Sequence, residues 1–312
     1  DEVALPLVLA WQLGWTTPTV YLHHGKKAAD YLVANGPFTP QERWENQSGY
    51  SPGTIAAEIA GLVCAADIAR RNGDMASAAL YERTADDWQR TVERWTATTT
   101  GPYSSEPYYL RLTKDKQPDE GTAYDIGDSG PAAVDQRRVV DTSFLELVRL
   151  GVKHADDAVI RNTVTVVDAQ LAVDSPRGRF WHRFNFDGYG EQRDGGPWDI
   201  GFPAGSQTTI GRIWPIFAGE RGEYELLAGG DPDAHLDAMA GTANEGGMMP
   251  EQVWDEHPPS GQPGFEPGTG TYSATPLAWT HAQFVRLAWS IAHGHPVEQP
   301  RVVACRYVQD CP

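Results

Sequence analysis

The sequence predicts an all-α fold, and three observations predict it. Apolar residues recur at helical spacing through most of the chain. Glycine and Asn-Gly stops close those runs where helices end. No apolar–polar alternation persists long enough to build a sheet.

In chain order, residues 3–14 (VALPLVLAWQLG) form the first apolar run, ending at Gly14. Residues 18–35 open on Pro18 and close on Asn35-Gly36. Thr39-Pro40-Gln41-Glu42 reads as a capping box, with Thr39 as cap, Pro40 first in the helix and Glu42 reaching back, so a short helix is expected here, ending at Gly49. Ser51-Pro52 opens a longer helix carrying Ile55, Ile59, Leu62, Val63 and Ile68, stopped by Asn72-Gly73. Another runs from about Met75 to Thr96, and shorter ones fit 141–151, 156–171, 218–229, 234–243 and 275–293. Between them lie loops 99–140, 174–216 and 244–274, long enough to suggest function rather than simple connection. Within the first, "YYLRLT" (108–113) suits a small hairpin. No solenoid repeat occurs.

With 312 residues, 40% hydrophobic and 21% charged, the chain suits one large domain or two modest ones. No uninterrupted run of about 18 apolar residues marks a membrane span. The chain opens at Asp1 without a targeting pattern, which suggests a processed or excised product. A net charge of −17 repels phosphate backbones and anionic lipid, arguing against nucleic-acid and membrane partners while leaving a neutral ligand unpenalised. Cys64 lies at apolar helical spacing and reads as a buried thiol; Cys305 and Cys311 could bridge across a short loop. Eleven tryptophans are many for this length, and their flat faces suit stacking on sugar rings as well as helix packing.

Two groups of carboxylates stand out. Glu42 has a sufficient role in the capping box. Glu45, in the last turn of the expected helix and directly after Trp44, would feel both the helix dipole and loss of water, effects that favour the protonated form a general acid needs. Far along the chain, Glu245, Glu251, Asp255 and Glu256 crowd a loop with two methionines and Trp254. Two carboxylates from distant segments can flank a glycosidic bond as acid and base. Metals and cofactors are not expected: His23-His24 lacks a partner motif, and zinc spacing, a phosphate-binding glycine loop and a nucleophile elbow are all missing. "YDIGDSG" (124–130) lacks EF-hand spacing and reads as a surface turn.

Four segments in order carry a resemblance. "TPQERWENQSGYSPGTIAAEIAGLVCAADIA" resembles the general-acid segment of glycoside hydrolase family 15, the bacterial glucoamylases and glucodextranases, and "GMMPEQVWDEHPPSGQPGFEPGTGTYSATPLAWTHAQFVRLA" resembles its general-base segment. "RFNFDGYGE" and "GRIWPIFAGERGEYELLAG" resemble the substrate loops between them. The resemblance implies an (α/α)6 barrel over residues 1–296, with 297–312 as a tail or the start of a linker. It implies an inverting, secreted exo-hydrolase that releases β-glucose from α-glucans and needs no cofactor. By motif, Glu45 would be the general acid, Glu251 the general base and Arg183 the holder of the terminal glucose. Trp44, Tyr189, Trp214 and Trp279 would line the sugar subsites.

Two departures accompany it. Asn46 stands where family members commonly carry a second glutamate touching the leaving-side sugar, which bears on the choice between α-1,4 links and the α-1,6 links of a glucodextranase. The family's W-x-R-D segment has no match in residues 1–40, and about nine helices are read where the barrel has twelve. The resemblance therefore implies a barrel incomplete at its N-terminus, a missing N-terminal portion as partner, and weak or no hydrolysis by this chain alone. A carbohydrate-binding fragment without activity is the alternative of a different class, and an unrelated (α/α)6 glycosidase such as a trehalase is a further one.

Overall fold

The structure, a computed structural model, describes residues 1–198, 202–255, 265–309 and 311. Its centre is helix α4 (Pro52–Arg71), buried along almost its whole length by residues such as Ile55, Ile59, Leu62 and Ile68. Among the described residues α4 alone is long and apolar enough to cross a membrane, but here its surface is spent on protein contacts. Helix α1 (Leu5–Gln12) lies against it with Leu7 and Val8 buried. The two backbones approach closely because position 61 is glycine; a Cβ there would stand 2.8 Å from the Ala4 carbonyl.

Helix α5 (Met75–Thr96) returns antiparallel along α4 after the Asn72-Gly73-Asp74 turn. Asp74 caps it, accepting from Ser77 N at 3.0 Å, and Ala78, Tyr81, Ala85, Trp88 and Val92 form the apolar stripe that docks. Between α1 and α4 the chain passes through α2 (Pro18–Val20), a π-turn (Tyr21–Gly25) and α3 (Lys26–Asn35), so the expected 18–35 helix is wound wider near its start.

A second group follows the first long loop: α6 (Glu146–Arg149), α7 (Ala158–Leu171), α8 (Pro215–Ala228) and α9 (Pro232–Gly241), then α10 (Ala278–His293) packed on both α8 and α9. The strands are short antiparallel pairs: β1 (Ala97–Thr98) with β2 (Tyr108–Tyr109), β3 (Ala123–Tyr124) with β4 (Val134–Asp135), and β5 (Ala172–Ser175) with β6 (Gly178–Trp181). The start of "YYLRLT" does pair in a small antiparallel unit, Tyr108 and Tyr109 with Thr98 and Ala97 just past α5, and Thr113 bridges Tyr50.

Three further differences from the sequence reading are seen. Residues 39–49 hold no helix: Thr39 and Gly49 pair across an isolated bridge, and the Thr39 hydroxyl bonds the Gln41 carbonyl instead of capping. Ser51 precedes α4 but its side chain makes no capping bond. The tail forms α11 (Arg301–Tyr307), with Val303 and Ala304 buried and Arg306 clamped by Glu82 and Asp86 of α5; Cys305 and Cys311 are disulfide-bonded and Cys64 is buried.

Candidate active site

The loop after α3 is built around a buried ion pair. Arg111 Nη2 donates to Glu42 Oε1 at 2.6 Å, and Glu42 Oε2 accepts from Trp44 N at 3.2 Å. Glu42 is thus the anchor of the loop rather than a helix cap. Its backbone accepts from Glu45 N at 2.8 Å, closing a tight turn that holds Glu45 at φ 59°, in the left-handed region. With no helix here, the dipole argument for Glu45 has nothing to act on. Nor does Trp44 dehydrate its neighbour: Glu45 is exposed in the cleft, while the Trp44 ring turns inward against Trp214, Phe217 and Trp279 at 5.7–5.8 Å between centroids.

Glu251 comes from the loop between α9 and α10 and is buried. Backbone bonds pin that loop: Glu251 N to Ala274 O at 2.9 Å, Val253 N to Ile213 O at 2.9 Å, and Leu277 N to Met249 O at 3.0 Å. The Gln252 amide spans from Tyr189 O (3.1 Å) to Arg212 N (2.8 Å) and lies 3.4 Å from Glu251 Oε1. Burial raises the Glu251 carboxyl above its usual range, while the Gln252 amide, the Arg183 cation and the Tyr189 hydroxyl oppose that rise. Of the crowded carboxylates nearby, Glu245 is exposed, Asp255 is paired with Arg212 at 3.0 Å, and Glu256 lies outside the described residues.

Glu45 and Glu251 line one cleft of about 350 Å³ together with Trp44, Asn46, Arg183, Tyr189, Trp214 and Trp279, so the residues singled out in the sequence converge. Arg183 is held bidentately by Asp187, at 2.7 Å to each oxygen, and its guanidinium lies 4.5–5.7 Å from the rings of Tyr189, Trp44 and Trp214. Trp214 stands at the N-terminus of α8, and Trp279 in the first turn of α10 presents an exposed face. Asn46 lines the cleft, and its amide is engaged within the protein, accepting from Arg111 and donating to Ile126 O at 3.5 Å.

Three lining residues escape the sequence reading. Arg43 is salt-bridged to Glu220 at 2.6 Å and stacks over Trp44 and Trp279, fixing two indoles. Leu277 adds apolar wall. Asp128 lies exposed in the turn the sequence assigned to the surface, and from there it also lines the cleft 3.4 Å from Arg183; its only signal was the turn motif itself. Among the described residues no group of three or more His, Cys, Asp or Glu side chains could hold a metal ion. The cleft therefore offers two glutamates from separate loops, the Asp128 carboxylate, a fixed guanidinium and flat indole walls, a combination suited to gripping a neutral ring and moving protons.

The family model for glycosyl hydrolases family 15 matches residues 1–289. A glucoamylase from Clostridium sp. (strain G0005) is 43% identical over 308 residues, which is 99% of this chain and 41% of that protein. The crystal structure of a bacterial glucoamylase complexed with acarbose superposes with a TM-score of 0.90 at 43% identity, covering 99% of this chain and 43% of that one; its (α/α)6 architecture is the fold seen here. Glucoamylase from Saccharomycopsis fibuligera, at 11% identity and a TM-score of 0.56 over 88% of this chain and 62% of that one, shares the fold alone.

Proposed function

Because this chain belongs to glycosyl hydrolase family 15, we propose that its cleft is the site of an exo-acting α-glucan hydrolase of the glucoamylase type. The chain spans about two-fifths of the length of the two bacterial glucoamylases to which it is 43% identical, so the activity is proposed for the protein rather than taken from them. The observation that carries the reading is the convergence of Glu45 and Glu251 on one indole-walled cleft.

In this reading Glu45, open to the cleft, donates its proton to the glycosidic oxygen as the bond to the anomeric carbon breaks. Glu251, ionised and fixed on a separate loop, takes a proton from water as that water's oxygen bonds to the same carbon. One proton leaves Glu45 and one arrives on Glu251, the water is consumed, and exchange with solvent resets the pair. Attack on the face opposite the leaving group makes the reaction inverting, with β-glucose as the first product. The Arg183 fork and the rings of Trp44, Tyr189, Trp214 and Trp279 hold the terminal ring, tightening as it distorts. The glucoamylase names of the similar proteins support α-1,4 links. Action outside the reducing cytosol is proposed on the Cys305–Cys311 bridge.

Proton NMR during hydrolysis of maltotetraose tests the reading. Early accumulation of β-glucose is expected, with Glu45→Gln and Glu251→Gln each lowering kcat by roughly 10²–10⁴ while leaving binding in place. First-formed α-glucose would overturn inversion, and preferred turnover of isomaltotetraose would assign the site to α-1,6 links. Glucan binding that both variants leave unchanged, without turnover by the unmodified protein, would make this a binding module.

A further inference from the structure

We propose that a second cavity beside Glu251 is a water chamber, which keeps the attacking water against the base while a sugar ring fills the cleft. The inference rests on the glycosidase reading above and adds to it the source of the water.

This cavity has a volume of about 310 Å³. Among the described residues it shares two with the cleft, Glu251 and Tyr189. These side chains border both spaces, and the Tyr189 hydroxyl interacts with the Glu251 carboxylate. Their loops are tied together through the residue between them in space, Gln252. Its side chain donates to Tyr189 O at 3.1 Å and its N–H to Ser273 Oγ at 3.0 Å, while Glu251 N donates to Ala274 O at 2.9 Å.

The lining suits water. Glu191, Gln252 and Ser273 are among its residues. Glu191 is buried; its Oε1 accepts from Tyr272 N at 2.8 Å, and its Oε2 has no hydrogen-bond partner in the protein. A water occupies ~30 Å³ and needs two to four polar partners, so the cavity has room for roughly ten.

The proposed reaction gives that water a task. Arg183 and the rings of Trp44, Tyr189, Trp214 and Trp279 all line the cleft, so a sugar ring held by them covers Glu251 from that side. Glu251 is only 8% exposed to begin with. The second cavity still borders its carboxylate once the ring is seated. One water is consumed in each turnover: its oxygen bonds to the anomeric carbon, one proton passes to Glu251, and the other stays on the new hydroxyl.

Ala274 lines this cavity, is exposed, and is not part of the cleft lining, so bulk can be added there. Ala274→Phe displaces water from beside the base and is expected to lower kcat on maltotetraose about tenfold, with Ala274→Ser within about twofold of the unmodified protein. Maltotriose affinity, read by NMR titration in the Glu251→Gln background, should change less than about twofold, which reports a folded cleft. Trp198→Ala, which widens the cavity from another wall, should return at least about half of the lost rate to the Ala274→Phe protein, because room was lost rather than the placing of the base. An unchanged kcat in Ala274→Phe would overturn the inference, since the water would then arrive with the sugar. So would equal losses for Phe and Ser, a parallel loss of maltotriose affinity, or no recovery on widening. If the unmodified protein leaves maltotetraose intact, the glycosidase reading itself fails and takes this inference with it.

Discussion

Arg111 and Glu42 form a salt bridge 2.6 Å long with both side chains sealed from solvent, and the loop that presents Glu45 hangs from it. Arg111 also lies 3.6 Å from the centroid of Phe184, next to Arg183, so one cation ties the Glu45 loop to the Arg183 loop. Glu42→Gln leaves that cation buried without a counter-charge. We expect a loss of about 3–5 kcal/mol in unfolding free energy by urea titration. A loss below about 1 kcal/mol would show that the pair is dispensable.

The proposed mechanism predicts a displaced acidic limb. In it Glu251 must be ionised to accept a proton from water, and burial raises its pKa. Activity should therefore fall, as pH drops, at a pH above the ordinary glutamate value of about 4.3. Replacing Gln252 by Leu removes an amide that favours the ionised form, and should move the acidic limb of kcat/KM further up. A limb that stays in place or moves down contradicts this.

Asp141 gives a pH-dependent stability term with a definite sign. Its carboxyl is fully buried, and burial pushes its pKa to about 7; Ser143, Arg111 and Arg43 pull down, and Glu42 pushes up. Because the folded value exceeds the unfolded one, near 3.9, the contribution is present below the unfolded pKa and is lost as pH rises through about 7. Asp141→Asn, which imitates the neutral acid, should stabilise the protein more at pH 8 than at pH 4.5, by on the order of 2 kcal/mol. Equal gains at both values would show that Asp141 is ionised in the folded state.

Glu45 sits in a backbone conformation that costs a side-chain-bearing residue about 1 kcal/mol. Glu45→Gly should therefore raise stability by about 0.5–1 kcal/mol while abolishing turnover. Thermal unfolding alongside the glucose-release assay reads both; a destabilised Gly variant would show that Glu45 makes contacts its backbone strain does not outweigh.

The long helices were legible because their information is local. Pro52–Arg71 and Met75–Thr96 each carry their own start, apolar stripe and stop within about twenty residues, and both lie within a residue of where the sequence places them. The segment 39–49 has the same kind of local signal, a capping box, and there it misleads. A buried arginine from residue 111 offers Glu42 an ion pair that a helical cap cannot match, and the chain follows the stronger partner. Arg301–Tyr307 was missed for the complementary reason: it is too short to announce itself and is held by Glu82 and Asp86 far upstream.

By itself the sequence determined the helical class, the limits of the strongest helices and, through four ordered motifs, which residues belong together: Glu45, Glu251, Arg183, Tyr189 and the three tryptophans lie around one cleft. Only the tertiary structure decided what surrounds them. It made Glu42 an anchor, gave Arg43 to two indoles, engaged the Asn46 amide with Arg111 and Ile126, and set the surface-turn residue Asp128 at the cleft beside Arg183. The physical reason is that helix formation is settled between residues three or four apart. The pairing of buried charges and the filling of a cleft wall are settled by whichever distant group can satisfy them at least cost in desolvation.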